Sequence, residues 1–123
     1  MSKHVLIAED DALLADMMGK ILSKKNVRVT ITYNGQEALE ALEALEKDVP
    51  DVVLLDVLMP VLDGHGVLKV IRERHVNCPV IVISNMSDKM TKEKCRQMNV
   101  QDYFVKNDMD DEALWPAIEK YLR

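Results

Sequence analysis

The sequence is poor in the features that mark secreted and membrane proteins. Its two cysteines, Cys78 and Cys95, form no CxxC motif and have no paired histidines nearby. This excludes a disulfide framework and a zinc site, and it is typical of the reducing cytosol. Apolar runs such as 52–55 and 80–83 are far shorter than the roughly 20 residues of a membrane span. Because no signal peptide precedes the first apolar run, we predict a cytoplasmic protein without membrane insertion.

Negative charge outweighs positive charge. The 16 lysines and arginines face 21 aspartates and glutamates, which gives a formal net charge of −5. Contacts to nucleic-acid phosphates need a basic face, so this surplus argues against direct nucleic-acid binding. With 48% hydrophobic and 30% charged residues the chain has the balance of a globular protein, which excludes intrinsic disorder. The length predicts one domain over residues 1–123.

What is present is a repeated switch between two hydrophobic periods. Continuous apolar runs are typical of strands buried on both faces, whereas the alternation at 27, 29 and 31 indicates an edge strand. A helical pattern follows each strand, and five such units predict an α/β fold with a five-stranded parallel sheet between helices. The predicted helices cover about 14–22, 36–47, a stretch ending near 75, 88–98, and the C-terminal pattern at 114–122.

The carboxyl ends of the predicted strands carry chemically active side chains. In open α/β sheets, ligands bind beyond these ends, so we expect the side chains to share one pocket. The set comprises Glu9, Asp10 and Asp11 after the first strand, Asp56 after the third, Ser84 and Asn85 after the fourth, and Lys106 after the fifth.

Such a pocket favours a hard cation. Mg²⁺ binds one or two protein carboxylates together with water and phosphate oxygens, and here neither histidine nor thiolate competes. A carboxylate can also attack a phosphoryl group and form an aspartyl phosphate, provided that a metal ion and a lysine neutralise the charge on the equatorial oxygens. Asp56 is the candidate nucleophile.

Taken in chain order, these residues resemble the receiver domain of two-component response regulators, the family of the single-domain chemotaxis receiver. The loop 56–64 reads Asp-Val-Leu-Met-Pro-Val-Leu-Asp-Gly and matches the family's D-x-x-M-P-x-x-D-G, and the acidic pair, the hydroxyl and the lysine follow the appropriate strands. The resemblance covers the whole chain. It implies a flavodoxin-like, doubly wound sheet of order 2-1-3-4-5 with five helices, in agreement with the predicted edge strand.

The resemblance implies a role for each acidic residue. Asp56 would be the phosphoacceptor. Asp10, Asp56 and the backbone carbonyl of Leu58 would hold Mg²⁺, and Glu9 would orient a metal-bound water. From the residues themselves, Asp11 is predicted to cap or start the first helix, and Asp63 to be a turn or helix-cap residue, rather than to bind metal.

The resemblance also implies how the signal is received and passed on. Lys106 and Ser84 would contact phosphoryl oxygens, and Tyr103 would be the switch aromatic whose rotamer follows the hydroxyl. The donor would be a phosphohistidine of a sensor histidine kinase or phosphotransfer protein. The output would be a downstream protein that binds the face formed by the fourth helix, fifth strand and fifth helix. The chain would then be a signalling protein rather than an enzyme, and homodimerisation on phosphorylation stays open.

Several positions depart from the family pattern. Asn107 follows Lys106 where proline is usual, so we expect a trans bond and an altered lysine position. Asn85 replaces a small residue after the hydroxyl, and its larger amide side chain would either narrow the approach to Asp56 or contact the phosphoryl group. Leu58 and Met86 are apolar at positions that tune hydrolysis in the family, so we predict slow self-dephosphorylation.

Three other functions are alternatives to a phosphoryl-accepting receiver. A pseudo-receiver that keeps the fold as a constitutive interaction module is supported only by Asn85 and Asn107. A haloacid-dehalogenase-like phosphohydrolase needs a second aspartate two residues after the nucleophile, where Leu58 stands. A flavodoxin-type flavin carrier is disfavoured because residues 9–11 would repel the flavin phosphate.

Overall fold

A computed structural model describes most of the chain. The described residues are 3–45, 49–57, 59, 62–74, 78–84, 93–94, 96–97, 100–106 and 111–122, with residues 111 and 112 described by their backbone only.

Strands and helices alternate along the described residues. Four helices are described rather than the five predicted. The predicted helix at 88–98 lies mostly outside the described residues, and its described residues, 93–94 and 96–97, are helical. The elements are β1 (His4–Ala8), α1 (Ala12–Ser23), β2 (Arg28–Thr32), α2 (Gly35–Ala44), β3 (Val52–Asp56), α3 (Gly64–Glu73), β4 (Val80–Ser84), β5 (Asp102–Val105) and α4 (Asp111–Glu119).

The five strands form one parallel sheet in the order β2-β1-β3-β4-β5. This confirms the predicted order and the edge position of the second strand. Ala8 lies opposite Leu55, so the next residues, Glu9 and Asp56, are brought side by side at the carboxyl edge. Ser84 lies opposite Val105, which directly precedes the lysine of the predicted site.

The sheet is covered on both faces, as the continuous apolar runs predict. Successive strand side chains point to opposite faces, and they divide between two core clusters. One cluster contains Leu6, Val53, Leu55, Val80 and Val82 with residues of α2 and α3. The other contains Val5, Ile7, Val52, Leu54, Ile81 and Ile83 with residues of α1 and α4.

Side-chain caps fix where the helices begin. Asp11 accepts hydrogen bonds from the backbone N–H groups of Leu13 and Leu14, at 3.1 and 3.3 Å. Asp63 caps α3 through the N–H of Gly66 at 2.9 Å. Both predicted caps are therefore confirmed, and each satisfies backbone donors that a helix end leaves free. None of the described helices is both long and apolar enough to cross a membrane.

Candidate functional site

An acidic cluster lies at the carboxyl edge of the sheet. Glu9, Asp10 and Asp56 each offer a carboxylate oxygen, and these three oxygens all lie within 4.8 Å of one another. Glu9 and Asp56 are buried, with 1% and 4% of their surface exposed, whereas Asp10 is exposed. The parallel register of β1 and β3 accounts for this convergence, because it aligns the two strand ends.

Lys106 extends from the end of β5 into this cluster. Its Nζ lies 2.5 Å from Oε1 of Glu9 and 3.1 Å from Oδ2 of Asp56. The lysine side chain is 12% exposed, so solvent screens these ion pairs only weakly. Lys106 thus reaches the phosphoacceptor candidate, although Asn107 and the predicted trans bond lie outside the described residues.

Burial dominates the electrostatics of the cluster. It raises the pKa of Glu9 to about 8, with a further contribution from the hydrogen bond to Asp56. The pKa of Asp56 is also raised, chiefly by burial. Burial alone would lower the pKa of Lys106, but the hydrogen bond to Glu9 and the charge of Asp56 outweigh it and raise that pKa. One ammonium therefore faces two buried carboxyl groups, and a buried charge without a partner is costly.

This excess of acid fits a divalent cation. The donors are carboxylate oxygens, as Mg²⁺ prefers, and the exposed Asp10 leaves the cluster open to water on one side. A bound cation would balance the charge that Lys106 leaves uncompensated. The backbone carbonyl of Leu58, expected as a further ligand, lies outside the described residues.

The predicted hydroxyl and aromatic residues lie on the two neighbouring strands. Ser84 is fully buried at the end of β4. Tyr103 lies opposite Val82 and is half-buried against the core cluster that contains Leu6 and Val53. Its surroundings are those of a packed core residue, so its switching role stays a prediction. Asn85 and Met86 lie outside the described residues.

Backbone contacts that the sequence did not reveal position the acidic residues. The N–H of Glu9 donates to the carbonyl of Thr32 at 3.0 Å, which ties the end of β1 to β2. The N–H of Gly64 donates to the carbonyl of Val57 at 2.8 Å. A Cβ atom on Gly64 would lie only 2.4 Å from the carbonyl oxygen of Asp56. The Asp-Gly pair of the motif was the available signal, and it pointed to a turn rather than to this contact.

Several known proteins are similar to this chain in sequence. The chain is 37% identical over 108 residues to a protein-glutamate methylesterase/protein-glutamine glutaminase of Syntrophomonas wolfei. It is 34% identical over 110 residues to the DNA-binding transcriptional regulator NtrC of Escherichia coli K12, and 34% over 118 residues to the probable C4-dicarboxylate response regulator DctR of Bacillus subtilis. These matches cover 85%, 89% and 95% of this chain but only 30%, 23% and 51% of the relatives.

Solved receiver domains have the same fold as this chain. The BeF3-activated N-terminal receiver domain of Klebsiella pneumoniae RstA superposes with a TM-score of 0.87 at 26% identity, covering 98% of this chain and 99% of that one. A CheY-like receiver domain protein of Methanospirillum hungatei shares the fold, with a TM-score of 0.89 at 20% identity over 99% and 94% of the chains. The sequence model of the response regulator receiver domain matches residues 5–119, from within β1 to the end of α4. This chain belongs to that family.

Proposed function

We propose that Asp56 accepts a phosphoryl group in a Mg²⁺-dependent reaction. The donor is a phosphohistidine of a sensor histidine kinase or phosphotransfer protein. Receiver domains are signalling modules, and the placement of Asp56 carries this proposal, since it is buried between Glu9 and Lys106 with acid in excess. A carboxylate oxygen of Asp56 forms a bond to phosphorus, the phosphorus–nitrogen bond of the donor breaks, and the imidazole leaves with the electron pair.

The residues of the cluster have different roles in this reaction. Asp10 and Asp56 would hold Mg²⁺ together with the Leu58 carbonyl, and Glu9 would orient a metal-bound water. When bound, the ion neutralises charge on the phosphoryl oxygens. Lys106 supplies the second positive charge, because its Nζ already contacts Asp56.

Phosphorylation then alters a face that binds another protein. Ser84 lies level with the residue before Lys106, and this register supports a role in which its hydroxyl follows the new phosphoryl group. On β5, Tyr103 lies two residues before Val105, the residue opposite Ser84. We assign the output to the face formed by the predicted fourth helix, β5 and α4. In this cytoplasmic signalling role, residues 1–123 form one receiver domain, and the phosphorylated form binds a downstream protein or a second copy.

Intact mass after incubation with acetyl phosphate tests the proposal. The native chain should gain one phosphoryl mass with Mg²⁺ and none with EDTA, and Asp56→Asn should gain none under either condition. Asp63→Asn is the matched control, since Asp63 lies on the same loop and asparagine caps helices equally well. It should gain the mass as the native chain does. If the native chain gains no mass, and if added Mg²⁺ changes neither its Trp115 fluorescence nor its amide spectrum, the constitutive interaction module would be favoured instead.

The phosphoryl group is expected to be long-lived. Leu58 and Met86 offer no side-chain amide, carboxylate or ammonium to orient an attacking water. Leu58→Asn and Met86→Lys should each shorten the lifetime about tenfold, a modest part of what a positioned polar group contributes to proton transfer. The decay of the phosphorylated mass after removal of acetyl phosphate measures this. An unchanged lifetime in both variants would contradict the prediction.

A further inference from the structure

A groove runs between α1 and the edge strand β2, away from the acidic cluster. Its volume is about 530 Å³. Its lining comes from one side of α1 and from alternate residues of β2: Asp16, Gly19, Lys20, Ser23, Lys24, Val29 and Ile31.

The backbone of β2 offers hydrogen-bonding groups on this open side. The N–H of Arg28 donates to Lys3 and the carbonyl of Thr32 accepts from Glu9, so residues 28, 30 and 32 face β1. In a parallel ladder the intervening residues face the opposite way. The N–H and C=O groups of Val29 and Ile31 therefore point outward, and β2 is the last strand of the sheet on that side.

The floor of the groove is apolar. The side chains of Val29 and Ile31 lie half-buried on the α1 side of the sheet. Because Gly19 has no side chain, α1 packs closely on β2 there, and a Cβ atom would lie 3.1 Å from Cδ1 of Ile31. The half-buried side chains of Val29 and Ile31 beside this contact form an apolar surface that an outside group can cover.

The rim of the groove carries two lysines, Lys20 and Lys24, against one acidic side chain, Asp16. Lys20 and Lys24 are one helical turn apart and both are exposed. Within the described part of the chain, neither ammonium takes part in a salt bridge. In a protein with a net charge of −5, this pair stands out as a local anion-attracting feature. On the other face of the sheet, α2 carries three glutamates in Gly35–Ala44 and no lysine or arginine.

We infer that the β2 edge and this groove form a docking surface for an extended segment of an acidic partner protein. The segment adds as a sixth strand through the outward groups of Val29 and Ile31. Every second side chain of the segment faces α1. The central one of these is apolar and packs on Val29 and Ile31 beside Gly19, and the flanking ones are acidic and reach Lys20 and Lys24. The residues between them face the acidic helix α2 and are uncharged.

The peptide Asp-Thr-Val-Thr-Asp, acetylated and amidated at its ends, fits this pattern in either strand direction. Titrated into the ¹⁵N-labelled full chain, it should give saturable amide shifts centred on Val29, Ile31 and the groove side of α1. The expected dissociation constant is about 1 mM, the range of a short ligand that loses much conformational freedom. Shifts centred elsewhere, or none, would overturn the inference.

Two altered peptides separate the contribution of the backbone hydrogen bonds to β2 from the contribution of charge. Replacing both aspartates by lysine should abolish binding by repulsion from the rim. Methylating the amide nitrogens of the three central residues keeps the charge but removes the ladder donors, and it should abolish binding too. If the methylated peptide binds as well as the parent, the strand-addition geometry is wrong.

Charge reversal on the protein completes the test. The double variant Lys20→Glu, Lys24→Glu should lose the acidic peptide and bind the lysine peptide. Lys69→Glu on α3 is the control with an exposed lysine elsewhere, and it should bind as the native chain does. Thermal unfolding establishes that the variants are folded, and phosphorylation from acetyl phosphate should be unchanged. An acidic peptide that binds the double variant with undiminished affinity would overturn the role of the lysines.

Discussion

Gly64→Ala is expected to lower the free energy of unfolding by about 2 to 3 kcal/mol, the upper range for overpacking a tight site. The new Cβ would lie 2.4 Å from the carbonyl oxygen of Asp56 and 2.8 Å from Cα of Val57. Both are backbone atoms at the end of a central strand, so neither can rotate away as a side chain would. Since Asp56 itself must shift, Mg²⁺ should also bind more weakly. Urea unfolding with and without Mg²⁺ measures both effects.

Gly19→Ala is the matched control for this substitution. Gly19 lies within α1, and the nearest atoms that a Cβ there would meet belong to the side chains of Ile31 and Val29, the closest being Cδ1 of Ile31 at 3.1 Å, the end of a side chain that can adjust. Alanine is favoured over glycine inside a helix by up to about 1 kcal/mol. We therefore expect a small gain in stability and an unchanged Mg²⁺ affinity. Equal losses in the two variants would show that the contact between Gly64 and Asp56 has no special importance.

Without divalent metal, raising the pH from 5 to 8 should destabilise the protein by about 3 to 4 kcal/mol, because each unit of pKa difference between the folded and unfolded states is worth about 1.4 kcal/mol. The pKa of Glu9 rises from an ordinary 4.5 to about 8, chiefly through burial. The folded protein therefore holds a proton that the unfolded chain has released. This contribution is fully present below pH 4.5 and is lost as the pH rises through about 8. Asp56 shifts in the same direction.

Two measurements isolate Glu9 as the source of this slope. Glu9→Gln resembles the protonated side chain at every pH, so its stability should vary much less between pH 5 and 8. Added Mg²⁺ should flatten the native profile as well, because the cation replaces the proton as the partner of the carboxylates. Chemical unfolding across this pH range in EDTA and in Mg²⁺ provides the comparison. A native stability that increases with pH, or a Gln variant with the native slope, would refute the assignment.

Local sequence patterns predicted the sheet and the position of the acidic site at its carboxyl edge. Continuous apolar runs marked the strands covered on both faces, and the alternation around Val29 marked the edge. Because parallel strands end together, Asp56 and Lys106 were expected in one pocket, and the structure brings them to 3.1 Å. The caps Asp11 and Asp63 were equally readable, since a helix start requires nothing beyond a few adjacent residues.

Other features depend on distances that no local pattern encodes. The contact of Gly64 with the Asp56 carbonyl arises from how α3 packs on the end of β3. The hydrogen bond from Glu9 to Thr32 depends on the register between β1 and β2. The raised pKa of Glu9 depends on burial by the whole fold. A sequence states which residue types are present, but the cost of burying them follows from packing.

The strand order also bears on how the chain folds as it is synthesised. After β1 and β2 pair, β3 adds beside β1, and β4 and β5 each extend the same growing edge. The lysine that pairs with the buried carboxylates is residue 106, which emerges from the ribosome after every other part of the site. Glu9 and Asp56 can thus stay hydrated while the earlier strands assemble, and the costly burial of charge waits until its counterion arrives.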